Sequence, residues 1–145
     1  MVRYYTEDIS FNFKGRRFNN RWLKEVSVCE GKILGNLSIV FCSDPYIISI
    51  NKKYLSHDYY TDIITFDYCL GNRMSGDLFI SVDSVRDNSV YYGVSFEEEL
   101  HRVIVHGLLH LIGYDDHSES DIKTMREKEN FYLSLRNKLK DEEKV

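Results

Sequence analysis

The sequence predicts a single domain, residues 1–145, of mixed α/β (α+β) class. Three observations carry that reading. Short runs rich in β-branched and aromatic residues are interspersed with longer stretches of helical period. A chain of 145 residues, 43% of them hydrophobic, suits one domain with one core. Finally, one late helix is apolar nearly all round, as a helix is when other elements enclose it.

The elements follow in order. Residues 9–13 (ISFNF) alternate apolar and polar, a strand period, and residues 14–17 with Gly15 read as the turn that ends this first strand. A helix is expected from an N-cap at Asn19 or Asn20, with Trp22, Leu23, Val26 and Cys29 at spacings of three and four and Gly31 just past its end. Residues 34–42 (LGNLSIVFC) have the composition of a strand buried on one or both faces. Ser43 or Asp44 caps the next helix, with Pro45 at its first position, where the missing N–H costs nothing. Ile47, Ile48 and Tyr54 should face its core side and Asn51, Lys52 and Lys53 the solvent. Residues 63–69 (IITFDYC) and 78–82 (LFISV) are two further strands joined by a loop over residues 71–76.

Residues 84–92 read as a short helix closed by Gly93, and Ser95 followed by Glu98 is the capping-box pattern that opens the next one. There Leu100, Val103, Ile104, Leu108 and Leu111 fill one face, while Val105, Leu109 and Ile112 lie elsewhere on the circumference. A last helix runs from Ser118 or Ser120 to about Leu139, with Ile122, Met125, Phe131 or Tyr132, and Leu135 inward.

The chemistry concentrates in HGLLHLIGYDDH, residues 106–117. His106 and His110 lie four apart on the buried helix, about 40° from each other around its axis, so two imidazoles can share one cation. Gly113 stands where helices commonly end, and the chain beyond it can return Asp115, Asp116 and His117 towards the histidines. Catalytic zinc takes three protein ligands and keeps one position open, a count that the pair plus one residue of the return satisfies. The plain alternative is two polar positions at the edge of a buried helix. His101 lies about 140° from His106 and falls outside the group. In the related H-E-x-x-H pattern the Glu is the general base of peptide hydrolysis; Gly107 occupies that place and has no proton acceptor.

Composition excludes several classes. No stretch reaches the roughly 18 apolar residues of a membrane span, and the acidic start lacks a signal peptide's apolar run, so a cytoplasmic protein without membrane contact is expected. Cys29, Cys42 and Cys69 are odd in number and lack a C-x-x-C, which indicates neither a disulfide framework nor a cysteine zinc site. A net charge of −4 argues against coating nucleic acid through bulk charge. Lys14, Arg16, Arg17, Arg21 and Lys24 form a basic cluster that reads first as a solvated face, and Asp141, Glu142 and Glu143 an acidic tail.

The segments TDIITF (residues 61–66), GDLFIS (76–81) and HGLLHLIGYDDH (106–117), in that order and spacing, make the chain resemble the YbeY family of bacterial rRNA maturation factors. The resemblance implies a mixed four-stranded sheet, a buried central helix carrying the ligands and other helices packed around it. It also implies one zinc ion per chain and endoribonuclease activity in 16S rRNA 3′ end maturation and ribosome quality control. The implied partners are rRNA or a ribosomal subunit, with ribosomal or assembly proteins; no dinucleotide cofactor is expected.

Two positions depart from the family pattern. H-x-x-x-H-x-x-x-x-x-H puts its third ligand at Asp116, and the histidine arrives one residue later, at His117. Neighbours on an extended return point opposite ways, so one of them binds and not both. Asp116 keeps the register through to Met125, whereas a one-residue shift seats the softer His117. The second departure is Leu55, where relatives often carry an Arg for phosphate; Lys52, Lys53, His57 or Arg73 would have to replace it. Asp115 and His57 are the candidate general bases. The alternative to a zinc-dependent endoribonuclease is a non-catalytic ribosome-assembly factor with a structural or weak metal site, distinguished by a closed coordination sphere.

Overall fold

A computed structural model describes residues 1–55 and 61–144, with the backbone alone at residue 55. In chain order the elements are β1 (Val2–Thr6), α1 (Arg16–Cys29), β2 (Ile33–Cys42), α2 (Asp44–Ile50), a π turn (Asn51–Leu55), β3 (Ile63–Asp67), β4 (Arg73–Ser81), α3 (Val82–Tyr92), α4 (Phe96–Ile112) and α5 (Glu119–Glu143). The strands form one mixed sheet ordered β1-β2-β4-β3, in which β3 runs antiparallel to β4 and the other pairs are parallel. The α/β class and the four-stranded mixed sheet are those expected. Among the described residues no helix is long and apolar enough to cross a membrane.

The first strand lies elsewhere than expected. It is Val2–Thr6, paired with Leu37 to Phe41 of β2, and the ladder extends beyond both ends through Leu37 N–H to Met1 O and Glu7 N–H to Phe41 O. Residues 9–13 do alternate, but for another reason. Phe13 stacks between Tyr4 and Phe41, with ring centroids 5.1 and 5.4 Å away, and Phe11 meets Phe41 edge-on at 4.9 Å. Rings that reach into the core from an extended segment produce the same period of two with no strand beside them. Asn19 likewise looked like a cap yet lies inside α1, which starts after Gly15 in the left-handed region (φ 76). Its buried amide donates to the Tyr4 hydroxyl at 2.8 Å and accepts from Arg136 at 3.0 Å, which satisfies the polar group within the core.

Strand alternation divides the apolar side chains between two faces. Leu37, Ile39, Phe41, Leu78 and Ile80 join Trp22, Leu23, Val85, Met125 and Tyr132 in the main core, so α1, α3, α4 and α5 share that side. Cys42, Ile64, Phe66 and Phe79 gather around Ile47 of α2 in a smaller cluster. Ser43 caps α2 by accepting the Tyr46 N–H at 3.2 Å, and Pro45 is its second residue. The π turn that follows is wider than an α turn and changes which side chains point inward. Asn51, four residues after Ile47 and about 40° from it, is buried, and Tyr54 at the far side of the wider turn is exposed, the reverse of the expected arrangement.

β4 begins at Arg73, earlier than the pattern suggested, so Gly76 is a strand residue and not part of a loop. A Cβ there would stand 2.4 Å from Phe66 O and 3.1 Å from a Leu111 methyl. In α4, capped by Ser95 accepting the Glu98 N–H at 3.1 Å, seven apolar side chains are buried: Leu100, Val103, Ile104, Val105, Leu108, Leu109 and Leu111. At roughly 1.5–3 kcal/mol each, they outweigh the cost of holding two imidazoles near its end. Gly107 is where α4 meets the sheet, since a Cβ would lie 2.7 Å from Ile63 Cδ1 and 2.9 Å from Leu78 Cδ2. The position of the zincin glutamate thus faces the sheet.

Candidate metal centre

His106 and His110 project from the last turns of α4 with their Nε2 atoms 3.0 Å apart and their rings at 80°. The helix stops at Gly113 (φ 123), and the Tyr114 N–H bonds back to Leu109 O at 3.0 Å. The returning chain brings Asp116 Oδ2 to 3.5 Å from His106 Nε2 and 3.4 Å from His110 Nε2. Tetrahedral zinc with bonds of about 2.05 Å separates its ligand atoms by about 3.3 Å. The three separations of 3.0, 3.4 and 3.5 Å bracket that value. Among the described residues this is the only group of three such ligand atoms close enough to share an ion, and His117, exposed on the rim, is not in it.

Two contacts orient the group from α5 and α1. His106 Nδ1 lies 2.7 Å from Glu129 Oε2, and a proton held between them leaves the Nε2 lone pair facing His110 and Asp116. Glu129 is buried and also receives Arg102 at 3.0 Å, with Arg126 at 3.5 Å. The return loop is held separately. The Tyr114 hydroxyl donates to Glu30 at 2.6 Å, and the same carboxylate accepts from Lys128 at 3.1 Å and from the Tyr132 hydroxyl. Ser118 and Asp121 form the reciprocal capping box that starts α5 just beyond.

Burial opposes charge on His106, but the Glu129 hydrogen bond and the charges of Glu129, Asp62 and Asp116 outweigh it and raise its pKa. Burial and the neighbouring His106 lower that of His110, despite Asp116 and Asp115. Burial likewise opposes the Glu129 carboxylate, and hydrogen bonds from His106 and Arg102 overcome it, so its pKa is lowered. Asp62 goes the other way: burial raises its carboxyl, with His106 pulling back. Metal uptake by such a group displaces a proton, because imidazole ligates in its neutral form.

The triad borders two cavities. One of about 680 Å³ is lined by Asn51, Thr61, Thr65, His110 and His117 together with Asp62, His106 and Asp116. The other, of about 230 Å³, shares those last three and adds Tyr92, Glu99, Arg102, Arg126 and Glu129.

The structure therefore brings His106, His110 and Asp116 together and leaves His117 at the mouth. Lys52, Lys53, Arg73 and Asp115 line neither cavity. His57 and the side chain of Leu55 lie outside the described residues. His101, set aside by its angle, packs against the rings of Phe13 and Trp22 at 6.5 and 6.1 Å. In the basic cluster Arg21 pairs with Glu143 of the acidic tail at 2.9 Å, and Arg16 lies over the Tyr4 ring at 5.6 Å. Sequence reasoning missed Glu129, Asp62 and Glu30. For Glu129 a signal existed: Met125, Glu129, Tyr132, Arg136 and Leu139 recur at spacings of four and three, one inward stripe with two charges in it.

The family model described as Endoribonuclease YbeY matches residues 3–137. Proteins of that name from Bacteroides thetaiotaomicron and Phocaeicola vulgatus are 48% and 47% identical to the chain, covering 93% of it and 98% of each relative. One from Azobacteroides pseudotrichonymphae is 49% identical over 89% of the chain and 93% of its own length. A solution structure from Thermotoga maritima, 26% identical, superposes with a TM-score of 0.66 over 94% of this chain and 89% of that one.

Proposed function

The chain belongs to the YbeY endoribonuclease family, and from that premise we propose that it hydrolyses internal phosphodiesters of RNA with one zinc ion held by His106, His110 and Asp116. The observation that carries the reading is the triangle of ligand atoms facing a cavity of about 680 Å³. Two imidazoles and a carboxylate suit zinc, and a three-ligand group beside a cavity leaves a coordination position for a reactant, unlike a closed structural site. That favours catalysis over a purely structural metal. The setting proposed is maturation of the 16S rRNA 3′ end in the cytoplasm, on ribosomal RNA or a ribosomal subunit with its assembly proteins.

Zinc bound there would supply Lewis acidity towards a phosphoryl oxygen and a lowered pKa for water. The protein's own part is orientation and proton management. Glu129 keeps the His106 tautomer that presents Nε2, while Glu30, through Tyr114, keeps the return loop where Asp116 meets the imidazoles. Asp62 borders both cavities, and a carboxyl raised by burial is suited to holding or accepting a proton beside the reacting group. Gly107 faces the sheet, so no base stands where a zincin peptidase needs one.

The test is elemental analysis after dialysis, alongside cleavage of an rRNA precursor fragment. His106→Ala and His110→Ala should each lose most of the zinc and the cleavage. Wild-type zinc content and cleavage in both variants would refute the assignment.

A further inference from the structure

The 230 Å³ cavity is lined by two of the three ligand residues, His106 and Asp116, and shares them and Asp62 with the larger one. His106 and Asp116 therefore stand between the two, with His110 on the larger side, and a strand crossing them reaches into both. At this volume the smaller cavity falls below the roughly 300–1,000 Å³ of a whole-ligand site, so it suits one unit of a longer chain.

Its lining differs from that of its neighbour. Arg102 and Arg126 are the only Lys or Arg side chains among the described residues lining either cavity. Arg102 is committed to Glu129 at 3.0 Å and its side chain is only 17% exposed. Arg126 reaches the same carboxylate at 3.5 Å and is 51% exposed, which leaves most of its five donors for a ligand. Tyr92, 56% exposed at the end of α3, lines the same cavity and meets the more exposed Tyr91 edge-on at 5.0 Å. A guanidinium and an exposed ring at one opening are what a single-stranded nucleic acid requires, a phosphate contact and a stacking face.

We propose that this cavity is the subsite for the nucleotide next to the scissile phosphate of single-stranded RNA, with Arg126 taking its phosphate and Tyr92 stacking on its base. The inference rests on the RNA reading above and adds which side of the triad the strand occupies and what holds it. Two of the four acids around the cavity are already engaged: Glu129 by His106 and Arg102, and Asp116 within the triad.

The test is fluorescence anisotropy with a labelled single-stranded oligoribonucleotide across a salt series, with zinc content measured on every variant. Arg126→Ala should weaken binding about tenfold and flatten the salt dependence by about 0.7 in log–log slope, the loss of one phosphate contact on a single strand. Arg126→Lys should restore the slope. Tyr92→Leu should weaken binding about tenfold at unchanged slope, and Tyr92→Phe should bind as the wild type does. Zinc content should stay at the wild-type level in all four. Wild-type affinity and slope in Arg126→Ala, with RNA cleavage intact in the unmutated protein, would overturn the subsite and leave the nuclease reading standing. Neither binding nor cleavage by the unmutated protein would overturn both.

Discussion

Replacing Glu129 by Gln keeps the side chain's shape and removes its charge. The carboxylate receives His106 Nδ1 at 2.7 Å and Arg102 at 3.0 Å and is 7% exposed, so solvent cannot take its place. Loss of a carboxylate that orients a ligating histidine typically costs 10- to 100-fold in metal affinity, or about 1.4–2.7 kcal/mol. A second cost falls on stability, because Arg102 keeps its charge in a mostly enclosed place without its anionic partner. Complete loss of such a partner costs about 3–5 kcal/mol, and an amide that still accepts a hydrogen bond should hold the loss to about 1–3 kcal/mol. The His106 pKa should fall as well, since the interactions that raise it against burial come first from Glu129. Zinc affinity by chelator competition, urea unfolding of the metal-free protein and NMR titration of the imidazoles read the three effects separately. Zinc affinity within twofold of wild type in a folded variant would refute the view that Glu129 orients the site.

The third ligand gives a paired forecast: Asp116→Asn should weaken zinc binding by at least an order of magnitude and His117→Ala should change it little, with the reverse ranking in chelator competition counting against the triad. His101 gives a pH forecast. Burial, with Arg136 and Lys140, pushes its pKa down to about 3, below its unfolded value of about 6.5. Its stabilising effect is therefore complete above about pH 6.5 and is lost as pH falls towards 3, about 2 kcal/mol of it by pH 5. His101→Phe should lack that loss when urea unfolding is compared at pH 7.5 and pH 5, and equal losses in both proteins would disprove it. Gly76→Ala would place a Cβ 2.4 Å from a backbone oxygen of β3, forcing the strands apart. A cost of about 1–3 kcal/mol and a Tm several degrees lower should follow in calorimetry; an unchanged Tm would rule out the close approach.

What could be read from the sequence was whatever depends on neighbours along the chain. The Ser95 cap, the inward stripe of α4, the histidine pair and the Gly113 stop are local patterns, and each lies where its spacing put it. What could not be read depends on partners far away. Glu129 is 23 residues from His106, and a charged residue on an amphipathic helix is ordinarily read as outward. Asn19 imitated a cap because its true partners, Tyr4 and Arg136, come from opposite ends of the chain. The ISFNF alternation was real, but period alone cannot tell a ladder from rings packed on a core. Tyr54 stands beyond a turn wider than 3.6 residues, which moves it off the Ile47 face, whereas Asn51 is a polar residue on that face.

The Glu30 carboxylate joins the C-terminal end of α1, the loop that bears Asp116 and the side of α5 that carries Lys128 and Tyr132. Glu129 ties the same helix to the first imidazole. Ion occupancy and the seating of the final helix are consequently reciprocal: whatever stabilises one stabilises the other. At a free ion concentration a hundred times Kd, about 2.7 kcal/mol of binding free energy resists any opening that undocks α5. The amides of α5, a helix that supplies none of the three ligands, then become reporters of loading, exchanging with solvent more slowly in the filled protein than in the stripped one.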